Sequence, residues 1–250
     1  MEQGQTEVIK IAKPKFLAKL LYDNEPQNPR LDGGISQMVC WNDKYNLGDK
    51  HTYGSEKELL LQLMKKCGIK ADELNIDMDD FENQKDKILD ELRKHMAILP
   101  LYLYDGKFPE MSFTKDSLGK QGEFIGYIFI EPELTKEIFE SNDITGKQNA
   151  LLGLFDEIEL YSHYMSGNNF LLQIYRDDGT LYFENQYTGK LDDNMIDEMK
   201  LSAQNALEGE KVTTQEVDDM FGVDAPQIIS DKEYEAVPQI ESVEYEEMEM

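Results

Sequence analysis

Phe124-Ile125-Gly126-Tyr127-Ile128-Phe129-Ile130 is the stretch that decides the fold. It is nearly all apolar, where a strand with one wet face would alternate, so it predicts a strand buried on both faces. Such a strand needs cover on either side, and the sequence around it supplies helices. Upstream, Ser55 to Lys66 reads as one. Ser55 is placed to cap the first amides, Glu58 stands three residues on as the second half of a capping box, and Gly68 ends the helix. Leu59, Leu60, Leu63, Met64 and Cys67 recur there at helical spacing. Phe81 to Met96 predicts a second helix, with Phe81, Ile88, Leu92 and Met96 along one side. Downstream, Glu133 to Glu140 and residues 147–166 predict two more; the longer carries Leu151, Leu154, Phe155, Ile158, Tyr161 and Met165 on its apolar side.

Ile35 to Trp41 and Ala97 to Tyr104 read as further strands, and Pro100 puts the latter near an edge or a bulge because proline cannot donate to the ladder. Val8 to Tyr22 reads as one or two strands broken at Pro14. Phe170 to Arg176 and Thr180 to Glu184 are joined through Asp178-Gly179, a dipeptide suited to a type I′ hairpin. Asp192 to Leu207 and Thr214 to Phe221 predict helices. The whole predicts an α+β fold. We expect a mixed sheet of about five or six strands covered by helices within a domain at 1–190, then a helical acidic extension at 191–225 and a disordered tail at 226–250.

Charge narrows the functional classes. The 250 residues include 51 Asp and Glu against 25 Lys and Arg, a formal net charge of −26. Residues 191–250 alone hold 18 acidic and 3 basic side chains. Such an excess repels nucleic acid and anionic membranes, and it makes basic surfaces the natural targets. No apolar run approaches the ~20 residues of a membrane span. Met1-Glu2-Gln3-Gly4-Gln5 lacks the basic and apolar regions of a signal peptide. Cys40 and Cys67 are too few for a disulfide framework. The expectation is a cytoplasmic protein that binds neither nucleic acid directly nor a membrane; its oligomeric state is open.

Catalytic chemistry finds little support. His51, His95 and His163 lie far apart, and the last two sit on helices beside apolar stripes, where packed or solvated imidazoles are ordinary. Cys67 lies on an apolar helix face and Cys40 in an apolar strand, so both read as packing residues. The two cysteines match no zinc spacing. Asn75-Ile76-Asp77-Met78-Asp79-Asp80 resembles half a calcium loop but has Asp80 where the loop needs glycine, and reads instead as an acidic helix start capped by Asp79 or Asp80. No catalytic residue, cofactor or metal ligand is assigned. One segment stands apart: Cys40-Trp41-Asn42-Asp43-Lys44-Tyr45-Asn46-Leu47-Gly48-Asp49-Lys50-His51 places the only tryptophan beside Tyr45 in a polar loop. Large aromatics in a loop serve as a lid on the core or as anchors for a partner. The lid reading is favoured.

This loop, with Leu99-Pro100-Leu101-Tyr102-Leu103-Tyr104-Asp105 about fifty residues later, resembles a family of small, largely uncharacterised proteins carried by bacteriophages and other mobile elements. Members read Cys-Trp-His-Arg-Arg-Tyr-Asn-Leu-Gly-Asp, then Leu-Pro-Leu-Tyr-Leu-Tyr-Asp-His, then a Gly-x-Ile-Tyr-Val strand and a helix ending in Tyr-x-x-Tyr-Leu-x-Gly. Here the strand is Gly126-Tyr127-Ile128-Phe129-Ile130 and the helix end Tyr161-Ser162-His163-Tyr164-Met165-Ser166-Gly167. The likeness covers roughly residues 37–185. It departs at Asn42-Asp43-Lys44, where the family has His-Arg-Arg, and at Gly106, where it has histidine. The resemblance implies a phage or mobile-element origin in an infected or element-carrying bacterium, and it supplies no activity.

Tyr234, Val237, Ile240, Val243 and Tyr245 alternate with glutamates in the tail, a composition of segments that stay disordered alone and order on a partner, with a solubilising tail that has no partner as the equal alternative. The first expectation is therefore an acidic interaction protein whose partner is another protein with a basic surface or groove. It would act as an inhibitor or nucleic-acid mimic on a host DNA- or RNA-binding defence system. Its candidate partner-binding residues are Trp41, Tyr45, Asp49, Tyr104, Asp105, Tyr234, Val237, Ile240 and Val243. Two alternatives stay open: a small-molecule or nucleotide enzyme with a site between the 41–51 loop and Tyr104-Asp105, and a phage structural or assembly factor.

Overall fold

The computed structural model of the chain describes residues 15–31, 33–42, 44–117, 120–139 and 144–221. The tail residues Tyr234, Val237, Ile240 and Val243, and the reading of 226–250 as disordered, lie outside the described residues, as does the strand reading before Lys15. The α+β class holds, with six α-helices among the described residues. The single mixed sheet does not. Among the described residues there are two separate antiparallel sheets, of four and three strands, and a two-stranded ribbon, β5 (Asp116–Ser117) with β6 (Lys120–Gln121). The chain divides into two compact units, one spanning Gln27–Gly167 and the other joining the described residues up to Pro26 with those from Asn168 onward. Residues on either side of 190 thus belong to the same unit.

In the Gln27–Gly167 unit the order is β2 (Gln37–Cys40), β7 (Glu123–Ile130), β3 (Ala97–Tyr104), β4 (Glu110–Ser112). The apolar run occupies β7, between two other strands, and its residues go alternately to two cores. Ile125, Ile128 and Ile130 join Ala150, Leu154, Ile158 and Tyr161 of α4 (Ile144–Ser166). Tyr127 and Phe129 join Leu59, Leu60 and Leu63 of α1 (Glu56–Lys66) and Ile88 and Leu92 of α2 (Phe81–His95). Both faces are covered, as a run without alternation requires. Gly126 lies opposite Cys40 so closely that a Cβ there would be driven into the Val39 carbonyl oxygen. Pro100 pairs with β7, while β4 begins to pair only at Tyr102, where the β3–β7 register also shifts. The missing donor therefore sits on an unpaired side next to a bulge, as the sequence predicts.

Local signals account for the helix ends. The Ser55 hydroxyl accepts the Glu58 amide at 3.2 Å. The reciprocal half of the expected box is displaced by one residue, because the Glu58 carboxylate accepts the amide of Gly54 rather than that of Ser55. At the other end Gly68 takes φ 71°, Ile69 N–H bonds to Met64 O and Gly68 N–H to Lys65 O, a Schellman closure. Before α2 the capping carboxylate is Asp77, which accepts the Asp79 amide at 2.9 Å; the sequence placed that role on Asp79 or Asp80. α3 (Pro132–Phe139) follows β7.

The other unit has the order β1 (Phe16–Tyr22), β8 (Asn169–Arg176), β9 (Leu181–Thr188). Phe16, Leu20, Phe170, Leu172 and Ile174 form one core with Met199 and Ala203 of α5 (Asp193–Ala206) and Val217 of α6 (Thr214–Met220). α6 opens with a complete capping box between Thr213 and Glu216. The β8–β9 hairpin is present, but its turn is not type I′. Gly179 N–H closes back on Arg176 O, Gly179 alone is left-handed at φ 83°, and the Asp178 carboxylate holds the Thr180 amide and hydroxyl. This is a type I turn followed by a left-handed glycine, the arrangement of a three-residue hairpin loop.

Candidate functional site

A strand at the margin of a sheet exposes unpaired backbone groups, and β2 is such a strand. Its outward side is closed by the segment around it. The Asp49 amide donates to Met38 O at 2.8 Å, and the Asp49 carboxylate accepts Met38 N–H at 2.7 Å, imitating a neighbouring strand with one residue. Arg30 donates to Ser36 O at 2.9 Å, and the His51 Nε2 donates to Cys40 O at 2.9 Å. Gly48 is required for this approach: it has φ 73°, and a Cβ on it would stand 2.6 Å from Met38 O. Its amide donates to the Tyr161 hydroxyl of α4 at 3.1 Å.

Arg30 holds the clasp together. Its guanidinium, 5% exposed, donates to both Asp49 carboxylate oxygens, at 2.9 and 2.6 Å, and pairs with Glu157 of α4. Two carboxylates on one guanidinium leave a surplus negative charge, which Ser36 Oγ (2.6 Å to Glu157), Ile35 N–H (3.0 Å) and Met38 N–H share. Buried ions need this saturation to offset their desolvation. Burial works to lower the Arg30 pKa, but the Asp49 hydrogen bond and both carboxylates outweigh it and raise it above its usual value. Each carboxylate thus accepts three hydrogen bonds, out of about four that a carboxylate can take.

The other candidate residues divide. Trp41 is half-buried against the α1–α2 core, and its indole N–H donates to Tyr53 O at 2.9 Å. Tyr45 packs on the α4 core and donates its hydroxyl to Asp105 at 2.8 Å; Lys44 pairs with the same carboxylate at 2.8 Å. Tyr104 is buried and donates to Thr114 O at 2.5 Å. Tyr45 and Asp105 are thus brought together, whereas Asp49 serves the Arg30 clasp. The two aromatics tie the loop to the core, which is the lid arrangement.

Cys40 is buried beside Asp49, and burial, then that carboxylate, push its thiol up to about 12. Burial likewise pushes Cys67 up to about 11. Neither is a thiolate nucleophile near neutral pH. His95 and His163 lie near Glu91 and Glu159 on their own helices. Among the described residues no three His, Cys, Asp or Glu side chains are grouped to hold a metal, and no helix is long and apolar enough to cross a membrane. Two open surface cavities have acidic residues in their linings. One, of about 420 Å3, is lined by Ser55, Glu56, Lys57, Asp79, Asp80, Phe81 and Glu82. The other, of about 300 Å3, lies between the start of β2, the end of β7 and α3. Neither is lined by Trp41, Tyr45, Asp49, Tyr104 or Asp105.

Sequence reasoning missed Arg30, Ser36 and Glu157. Faint signals exist for two of them. Arg30 is one of three arginines in the chain and sits in a loop-like composition, and Glu157 interrupts the apolar side of its helix between Leu154 and Tyr161. The chain matches no protein-family model, no curated protein and no solved structure.

Proposed function

We propose that the protein is an acidic interaction protein of phage or mobile-element type that occupies a basic surface on a host nucleic-acid-binding protein, in place of the nucleic acid. The observation that carries this reading is the uncompensated carboxylate excess. Even if each of the 25 Lys and Arg met one carboxylate, as Lys15, Arg30, Lys44, Lys66 and Arg176 do, 26 of the 51 Asp and Glu would stay uncompensated. Duplex DNA carries one charge per ~1.7 Å of axis, and dense surface carboxylates compete for the same basic groups. The acidic linings of the two cavities support the same partner chemistry.

The test uses the full chain as bait in a bacterial lysate at about 50 mM salt, followed by release with duplex DNA. The expected captures are basic nucleic-acid-binding proteins that DNA displaces and that detach as salt rises to about 200 mM. Captures indifferent to both DNA and salt would overturn the reading.

A further inference from the structure

The smaller cavity is an open groove lined by both apolar and acidic residues. Ile35 and Leu134, which pack on the α4 core, supply the apolar side chains, and Phe129 borders it with its ring buried on the α1–α2 side. Glu131, Glu133 and Glu137 supply carboxylates, and among the described residues no lysine or arginine lines it. Lys66 partly neutralises Glu131 from outside the lining. Glu133 and Glu137 are exposed, four residues apart on α3, and so share one side of the helix, where like charges repel. We infer that this groove takes up an arginine or lysine side chain from an extended basic segment of the protein partner. The inference rests on the acidic-interaction reading above and gives it a place.

The geometry suits such an occupant. Long basic side chains bury their methylene stems on apolar surface and keep the charged head among polar groups. Here the stem would lie on Ile35 and Leu134, and the head between Glu133 and Glu137 would relieve their repulsion. A volume of about 300 Å3 stands at the lower end of ligand pockets, enough for one long side chain. The partner enters by side chain and not by strand addition, because Arg30, Asp49 and His51 already occupy the outward carbonyls of β2 and of the residue before it.

The probe is a fluorescent peptide of alternating arginine and serine, titrated with the full chain at low salt, with a glutamate-serine peptide for comparison. Glu133→Gln with Glu137→Gln removes two charges of the groove. Glu198→Gln with Glu208→Gln removes two exposed charges elsewhere and serves as the control for general attraction. Thermal melts confirm that both variants remain folded. The groove pair is expected to weaken arginine-peptide binding about tenfold, and the control pair no more than about twofold. Equal weakening by both pairs would overturn the groove while leaving the general acidic reading intact. If the unmodified chain does not prefer the arginine peptide to the glutamate peptide, that reading falls as well. Free spermine taken up at the groove in preference to the peptide would also overturn the proposal, since the occupant would then be a polyamine.

Discussion

Arg30 joins three parts of its unit: the loop that carries it, Asp49 at the margin of β2, and Glu157 on α4. Replacing it with methionine keeps bulk but leaves two mostly buried carboxylates facing each other. Breaking one partner out of a buried ion pair typically destabilises by about 3–5 kcal/mol. We expect Arg30→Met to lose stability of that order in urea unfolding, and Arg30→Lys to recover little, because an ammonium cannot reproduce the forked contact with Asp49. A loss under about 1 kcal/mol would mean that the cluster behaves as a solvated surface pair. Asp105 is a gentler case. Hydrogen bonds from Lys44 and then Tyr45 hold its carboxyl below the usual range. A depressed carboxylate contributes stability above its unfolded pKa, and that contribution is lost as pH falls through the lower folded value. The Tyr45–Asp105 contact should therefore persist at about pH 5 and disappear only below the ordinary aspartate range near ~3.9. The carboxyl carbon shift of Asp105 followed by NMR reads this directly, and an ordinary or raised midpoint would show that the contact does not form in solution.

Elements whose signals lie within one turn were legible; those that depend on distant partners were not. The Ser55 cap, the Gly68 closure and the apolar stripes of α2 and α4 are local arrangements, and each appears close to where the residues place it. The longer strands were legible for the same reason, whereas the short β4, β5 and β6, two or three residues each, carry no pattern long enough to read. Strand partnership was not, because β1 pairs with β8 across most of the chain, residue Phe16 opposite Arg176, and nothing in either segment names the other. That pairing is why one expected sheet is in fact two. The candidate loop was legible through Trp41 and Tyr45, yet the groups that fix it, Arg30 and Glu157, come from far away in sequence. A prediction belongs at this scale. α5 and α6 cover one face of a sheet of three described strands, burying Phe16, Leu20, Phe170, Leu172 and Ile174. A chain ending at Gly189 would open that face to water, and three strands without a packed face are marginal. It should bind a hydrophobic dye and lose protection of the β1, β8 and β9 amides in hydrogen exchange, while the β7 amides stay protected. Retained protection in β8 would show that the helices are accessory to the sheet.

Across the whole molecule the dominant quantity is the net charge of −26. Like charges oppose compaction, whereas exposed ion pairs such as Lys15–Glu210 and Lys44–Asp105 favour it, so salt screens two effects of opposite sign. Magnitudes decide between them. Exposed pairs contribute about 0–1 kcal/mol each at most, and the Arg30 cluster, the strongest pairing, is buried and little screened. Self-repulsion, by contrast, is summed over every unpaired carboxylate and acts over a screening length that shrinks from about 30 Å at 0.01 M to about 8 Å at 0.15 M salt. Stability should therefore increase over that interval, with a rising melting temperature in sodium chloride, and Arg30→Met should rise with a similar slope from a lower starting point. The same screening acts oppositely on capture of a basic partner, which must weaken as salt rises. A melting temperature that falls with salt would mean that surface ion pairs outweigh the repulsion. The carboxylates would then be largely compensated within the fold, and the excess charge offered to a partner would be smaller than the composition implies.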